Sequence, residues 1–174
     1  MSAPPPDDFS FARHASPAGV ILLVWDSAGR LRALDFEDYE DRMRRLLRRH
    51  YGGVDLRPGT PPGKITGALD RYFAGELAAL DDLEVATGGT AFQREVWAAL
   101  RDIPAGRTQS YGGLAAAIGR PRAVRAAGLA NGANPVAIVT PCHRVIGADG
   151  SLTGYGGGLE RKRWLLAHEG VRIA

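Results

Sequence analysis

Ile138-Val139-Thr140-Pro141-Cys142-His143-Arg144-Val145-Ile146-Gly147 is the stretch around which this chain is organised, and it holds the one cysteine. The apolar run at residues 136–139 predicts a buried strand. Pro141 removes a backbone N–H and should end the ladder. Cys142 then falls where a strand gives way to irregular chain, a place from which a side chain can face a pocket. A thiol is an effective nucleophile as thiolate, and neighbouring positive charge, here His143 and Arg144, lowers its pKa. A buried structural cysteine is the plain alternative. The Pro-Cys-His-Arg context argues against it.

Beyond residue 89 the pattern is helical. Thr90-Ala91-Phe92-Gln93 is a capping box, a threonine with glutamine three residues on. Phe92, Val96, Leu100 and Ile103 share one face of the following helix, and Ile103-Pro104-Ala105-Gly106 ends it. Ser110 is the expected N-cap of a helix over residues 111–118, stopped by Gly119. Arg120-Pro121-Arg122 opens another, with Pro121 near its first position, running to about Ala130. Two short helices joined by a glycine-containing turn outline a helix-turn-helix. The second combines small residues (Ala123, Val124, Ala126, Ala127, Gly128, Ala130) with Arg120, Arg122 and Arg125. Small side chains permit close approach, to the floor of a DNA groove or to a neighbouring helix.

Residues 1–89 read as a small α/β unit. Residues 1–18, rich in Pro, Ala and Asp, predict loose order. Residues 19–25 read as a buried strand, Asp26-Ser27-Ala28-Gly29 as a turn and residues 30–34 as the return strand. Residues 38–50 predict a helix with Tyr39, Met43, Leu46, Leu47 and His50 on one stripe, stopped by Gly52-Gly53. Its five arginines accompany acids at helical spacing, Glu40 with Arg44 and Asp41 with Arg45, which predicts a solvated face and not a nucleic-acid patch. Residues 57–63 read as a loop, residues 65–80 as a helix with Ile65, Leu69, Phe73 and Leu77 on one face, and residues 83–85 as a short strand. Ala86-Thr87-Gly88-Gly89 is the expected linker between domains 1–89 and 90–174.

Charge divides at that linker. Residues 1–89 carry 11 basic and 14 acidic side chains, and residues 90–174 carry 11 and 5. A basic half that holds the candidate nucleophile suggests a polyanionic partner. At 174 residues, 45% hydrophobic and 24% charged, the chain has the composition of a soluble globular protein. One cysteine excludes an internal disulfide and points to a reducing, cytoplasmic compartment. His14, His50, His143 and His168 lack ligand spacing, so no metal is expected. The acidic, proline-rich start is unlike a leader peptide. The longest apolar run, residues 20–25, is too short to span a bilayer.

Pro141-Cys142-His143-Arg144-Val145-Ile146 resembles the active-site signature of the O6-alkylguanine-DNA alkyltransferases, or methylated-DNA–protein-cysteine methyltransferases. The similarity runs from about Thr90 to Gly170. It takes in Ser110-Tyr111, the helix at Arg125, Asn134-Pro135, Gly154-Tyr155 and Trp164-Leu165-Leu166-Ala167-His168-Glu169-Gly170. Several separated motifs in one order are more specific than a single short pattern. The resemblance implies an α/β (α+β) protein: a small ribonuclease H-like α/β domain, then a mostly helical DNA-binding domain with a helix-turn-helix and the active-site cysteine. It implies repair by direct damage reversal, a single-turnover transfer of the alkyl group from O6-alkylguanine, less well from O4-alkylthymine, to Cys142 after base flipping through the minor groove. The implied partner is double-stranded DNA containing O6-alkylguanine. No cofactor and no membrane are implied, and the cysteines for the zinc of some relatives are missing. The protein is expected as a monomer, with clustering on DNA left open.

The same resemblance implies roles for individual residues. Cys142, a water, His143 and Glu169 would form a relay in which the carboxylate holds the imidazole, as in a serine-protease triad. Tyr111 would help turn the nucleotide out and aid loss of guanine. Arg125 would hold the place of the extruded nucleotide, on a DNA-facing helix with Ala123, Ala126, Arg122 and Gly128. Asn134 would tie that helix to the active-site turn. The carbonyls of Val145 and Cys142, the ring of Tyr155 and the N–H of Gly156 would meet the base, with Lys162 near the pocket. Gly156 stands where some relatives have serine, and glycines in residues 147–158 imply a loose pocket wall that admits larger alkyl groups. His168 reads as a helix-end cation. Two other classes stay open. A base-flipping binder without chemistry is disfavoured by Cys142. A cysteine hydrolase leaves the basic small-residue helix unexplained.

Overall fold

Phe9-Ser10-Phe11-Ala12 alternates large apolar with small residues. In the computed structural model of the chain, which describes residues 9–173, this stretch is strand β1 (Phe9–His14). β1 lies inside a four-stranded sheet of order β3-β2-β1-β4, between β2 (Ile21–Trp25) and β4 (Leu56–Pro58), with β3 (Leu31–Phe36) outermost. β1, β2 and β3 run antiparallel, and β4 runs parallel to β1. The loose order expected of residues 1–18 is thereby corrected from residue 9 onward; residues 1–8 lie outside the described residues. Averaged composition hid the Phe alternation, and Phe9 is fully buried, edge-on to Tyr51 at 5.0 Å. β4 corrects the loop read at residues 57–63. Its Pro58 is tolerated because an edge strand leaves one row of N–H groups unpaired.

A short 3-10 turn, Glu37–Tyr39, leads into α1 (Glu40–Tyr51), which buries Met43, Leu46 and Leu47 and ends at Gly52, φ +78°. α2 (Gly63–Phe73) buries Ile65, Ala68, Leu69 and Tyr72. It stops short of the expected residue 80 because Gly75 turns the chain at φ +112°. Leu80 still reaches the core from the turns that follow.

In the second half both bonds of the capping box form at the start of α3 (Ala91–Arg101): Gln93 N donates to Thr90 Oγ1 at 3.1 Å, and Thr90 N to Gln93 Oε1 at 3.0 Å. β5 (Gln109–Ser110) leads directly into α4 (Tyr111–Ala117), capped by Ser110 Oγ on Gly113 N at 3.0 Å. α5 (Val124–Gly132) begins later than residue 120, since residues 120–123 form a turn closed by Ala123 N on Arg120 O, with Pro121 at its second position. Trp97 pins α3 to α5 through Nε1 on Ala130 O at 2.8 Å. β6 (Val145–Ile146) pairs parallel with β5, and α6 (Leu159–His168) closes the described fold. Among the described residues no helix is long and apolar enough to cross a membrane.

Residues 136–139 are buried, but they are not the expected strand. Leu34 of β3 donates to Pro135 O and accepts from Ala137 N, both at 3.0 Å, a single parallel bridge at Val136. Ile138 then sits at φ +67°, a left-handed conformation costly for a β-branched residue, and the chain turns. Periodicity reports burial of a short apolar run and cannot tell strand from buried turn. Residues 136–139 and Leu165 join β2, β3 and α2 in one hydrophobic cluster. Val96, Trp97, Leu100, Leu114, Cys142 and Val145 belong to a second. Cys142 therefore lies at the seam between the sheet core and the helical core. Phe9→Ala should lower stability by about 3–5 kcal/mol in urea denaturation, since it empties a site inside the sheet core; a loss under 1 kcal/mol is the result expected of a loosely ordered segment.

Candidate active site

Pro141 does end extended structure. The chain bends at once into a 3-10 turn, Cys142–Arg144, with Arg144 N on Pro141 O at 3.0 Å. At about three residues per turn, successive side chains diverge by about 120° instead of alternating across a strand. All three residues of the turn are buried, His143 completely. Pairing of β5 with β6 sets Ser110 and Tyr111 beside the segment that follows.

Glu169 caps the C-terminal end of α6 and is 3% exposed. Its carboxylate accepts from Tyr72 Oη at 2.6 Å, His143 Nε2 at 2.9 Å, Arg144 Nε at 2.8 Å and Arg144 Nη2 at 2.9 Å. Burial pushes this carboxyl up, but the hydrogen bonds from His143 and Arg144 and the Arg144 charge outweigh it and hold the group far below the usual carboxylate range. The Tyr72 phenol is driven well above its ordinary value by burial and the adjacent carboxylate. Burial lowers the His143 pKa against the pull of Glu169, so the resting imidazole is neutral. A carboxylate only accepts, so Nε2 carries the proton and Nδ1 presents a lone pair. Nδ1 is buried without a protein hydrogen-bond partner.

Burial raises the Cys142 thiol pKa, against a hydrogen bond from Asn134 and the charges of Arg42 and Lys162. The expectation that Arg144 would activate the thiol is corrected. Its guanidinium is committed to Glu169 and, through Nη1, to Ile103 O at 2.6 Å. Asn134 Nδ2 donates to Thr140 O at 2.7 Å, and its Oδ1 accepts from Val136 N at 3.0 Å, fixing the approach to the turn. Lys162 is fully buried, its Nζ on Val145 O at 2.6 Å and Thr153 O at 2.7 Å, its pKa lowered by burial to about 8. The Val145 carbonyl thus already accepts one bond, and the Cys142 carbonyl accepts from Val145 N. Tyr111 Oη bonds Thr153 Oγ1 at 2.8 Å. The Tyr155 ring packs on both hydrophobic clusters, with its hydroxyl buried and unpartnered. Two surface cavities, of about 520 and 390 Å³, approach the site without being lined by Cys142: one by Tyr39, Trp164, Gly157 and Gly158, the other by Trp97, Arg101 and Thr140.

Residues 11–87 match the family profile described as 6-O-methylguanine DNA methyltransferase, ribonuclease-like domain, and residues 91–171 match its DNA binding domain. The methylated-DNA–protein-cysteine methyltransferase of Salmonella typhimurium is 58% identical over 161 residues, 91% of this chain and 94% of that protein. The chain belongs to the 6-O-methylguanine DNA methyltransferase family. The crystal structure of Mycobacterium tuberculosis OGT in complex with DNA has a TM-score of 0.76 at 43% identity, covering 92% of each chain. The O6-methylguanine-DNA methyltransferase of Pyrococcus kodakaraensis has a TM-score of 0.62 at 25% identity, covering 94% of this chain and 99% of that one.

In this member of the methyltransferase family the expected site residues fall into two groups. Cys142, His143, Glu169, Asn134, Val145, Lys162 and Tyr155 converge at the seam. Arg122, Arg125 and Ala126 lie exposed on or just before α5; Ala123 is the N-cap of α5 and half-buried. Gly128 lies against the ring of Tyr111, which a β-carbon there would meet at 3.4 Å. Val124 and Leu129 are exposed on the same helix, Leu129 to 72%. Sequence reading missed Tyr72, Arg42 and Asn131, whose Nδ2 reaches Cys142 O at 3.5 Å. His168 is the helix-end residue expected, stacked on Trp164 with Nε2 at Tyr72 O, 2.8 Å.

At the site, Glu169 and His143 make stability depend on pH between 8 and 4, and His50, also lowered by burial, adds to the histidine window. Glu169, depressed when folded, stabilises fully above its ordinary value near 4.5 and loses that contribution as pH falls below it. His143, also depressed, stays neutral when folded while the unfolded imidazole takes a proton near 6.5, so stability begins to fall there. Urea midpoints should decline steadily from pH 8 to 4. His143→Gln should lessen the slope between pH 7 and 5, leaving the share of His50; an unchanged slope there contradicts the burial of a neutral imidazole at 143.

Proposed function

We propose that this chain repairs alkylated DNA by moving the alkyl group from O6 of guanine, and less well from O4 of thymine, irreversibly to Cys142. The observation that carries this is His143, held through Nε2 by Glu169 with its Nδ1 buried and without a protein partner, next in sequence to the buried Cys142. Nδ1 takes the Cys142 proton through a water, and Glu169 stabilises the imidazolium. The thiolate attacks the alkyl carbon; an S–C bond forms and the C–O6 bond breaks. Its electron pair leaves with guanine, and Tyr111 serves as proton donor to the departing base. The thioether has no ready leaving route, so each molecule acts once.

The reacting oxygen lies inside a duplex, so the nucleotide must be extruded at a cost of a few kcal/mol. The exposed Arg125 on a helix of small residues suits a plug for the vacated stack. Cys142 is 5% exposed, so the base enters as Tyr155 and the glycine-rich residues 147–158 shift. In this reading residues 1–89 form the scaffold domain, residues 90–174 bind DNA and accept the alkyl group, and the protein works as a cytoplasmic monomer that clusters on DNA at high coverage.

A duplex with radiolabelled O6-methylguanine tests this. One label per protein, on Cys142, is expected, and none on Cys142→Ala. Binding without transfer marks a non-enzymatic binder, and repeated turnover marks a hydrolase. Arg125→Ala should slow transfer from duplex roughly tenfold or more while sparing transfer from free O6-benzylguanine; equal slowing of both removes the plug role.

A further inference from the structure

Arg42 lies on α1, in the scaffold half, on the helix face that the sequence assigns to solvent. Its side chain is only 16% exposed. Nη1 donates to Asp35 Oδ2 at 2.9 Å, and Nη2 donates to the carbonyls of Gly132 at 2.6 Å and Asn134 at 3.2 Å. Asp35 is 1% exposed and accepts from Phe36 N with its other oxygen. Gly132 ends α5, and the Asn134 side chain holds both the approach to the active-site turn and the thiol. The guanidinium also fills the space beside Gly156, where a β-carbon would stand 2.7 Å from Arg42 Cζ. One planar group thus touches β3, the end of α5 and the pocket loop. At Gly156 itself the room left by the missing side chain is taken by Arg42.

We propose that Arg42 is a positioning residue for alkyl transfer: its fork fixes the end of α5 against the Gly156 loop and so sets the pocket beside Cys142. The proposal rests on the transfer reaction of the preceding section for its DNA readout, and not for its readout on the thiol. A guanidinium engages a carboxylate and two carbonyls at once in fixed geometry, which a lysine ammonium cannot reproduce. Misplacement of reacting groups by about 1 Å costs on the order of a hundredfold in rate. The Arg42 charge also favours the Cys142 thiolate, so its loss has a signature that mere loosening of the fold lacks.

The test uses the full chain as Arg42→Met, Arg42→Lys and the double variant Asp35→Asn/Arg42→Met, which leaves no unpaired buried carboxylate if the single variant fails to fold. Three rates are read: iodoacetamide modification of Cys142 from pH 5 to 9, transfer from an O6-methylguanine duplex and transfer from free O6-benzylguanine. Affinity for undamaged duplex is measured alongside. The Met variants should lose roughly tenfold to a hundredfold in both transfers. The thiol midpoint of Arg42→Met should rise by about half a pH unit or more, and that of the double variant by less, because the Asp35 charge that raises it is lost as well; undamaged-duplex affinity should stay unchanged within about twofold. Arg42→Lys should restore the midpoint and leave transfer slow. Wild-type transfer by the folded double variant overturns the proposal, as does full rescue by lysine or a loss matched by weaker duplex binding. If the parent protein transfers no alkyl group, the proposed function fails, and the thiol midpoint of Arg42→Met alone then decides Arg42: a rise supports it and no change overturns it.

Discussion

A carboxylate buried at the end of a helix, Glu169, is the interaction on which the rest of the site depends. Two effects oppose its charge: desolvation, and the negative end of the α6 dipole. Four hydrogen bonds overcome them, from residues 97, 26 and 25 positions away in sequence. Such a cluster adds little net stability over a well-packed apolar one, yet losing one partner costs about 3–5 kcal/mol. Its value is geometric. It fixes which imidazole nitrogen is free, and it locks α2, the active-site turn and α6 into one register.

The sheet domain is more than a support. β3 is an outer strand, and an exposed strand edge invites unwanted pairing. Here that edge is covered twice, by Glu84 and Ala86 on Leu31 and by Pro135 and Ala137 on Leu34. The second cover is the segment leading into Cys142. Closing the edge therefore docks the turn that holds Cys142, and the left-handed Ile138 turns the chain away once the single bridge is made. Tyr72 completes the Glu169 cluster from the same domain.

What was legible in the sequence was local or carried by motif. The capping box at Thr90, the Ser110 cap, the glycine stops and the Pro-Cys-His-Arg turn depend on neighbours within a few residues, and the structure has them. The failures share a cause. Tyr72 drew no reading of its own beside Phe73, because its partner lies 97 positions away. Arg42 read as one arginine of a solvated helix, because its acceptors lie 90 and 92 positions away. Residues 136–139 announced burial, but the bridge that positions them depends on where β3 ends up. β1 was hidden by averaging Phe9 and Phe11 with proline-rich chain. Long-range polar contacts leave no periodic trace.

The proton balance at the seam bears on how such a nucleophile is kept. Burial raises the thiol pKa and lowers the imidazole pKa, so both groups rest neutral. The cations acting on Cys142, Arg42 and Lys162, moderate this without reversing it. A neutral, enclosed thiol reacts poorly with oxidants and stray electrophiles. For a group that is consumed in its one reaction, that inertness matters as much as reactivity. In the proposed transfer, the ion pair between thiolate and imidazolium is worth forming only when an electrophilic carbon is held against the sulfur, and Glu169, already charged and already in place, needs no reorganisation to stabilise it. Storage and reaction thus use the same residues, separated by the transfer of one proton.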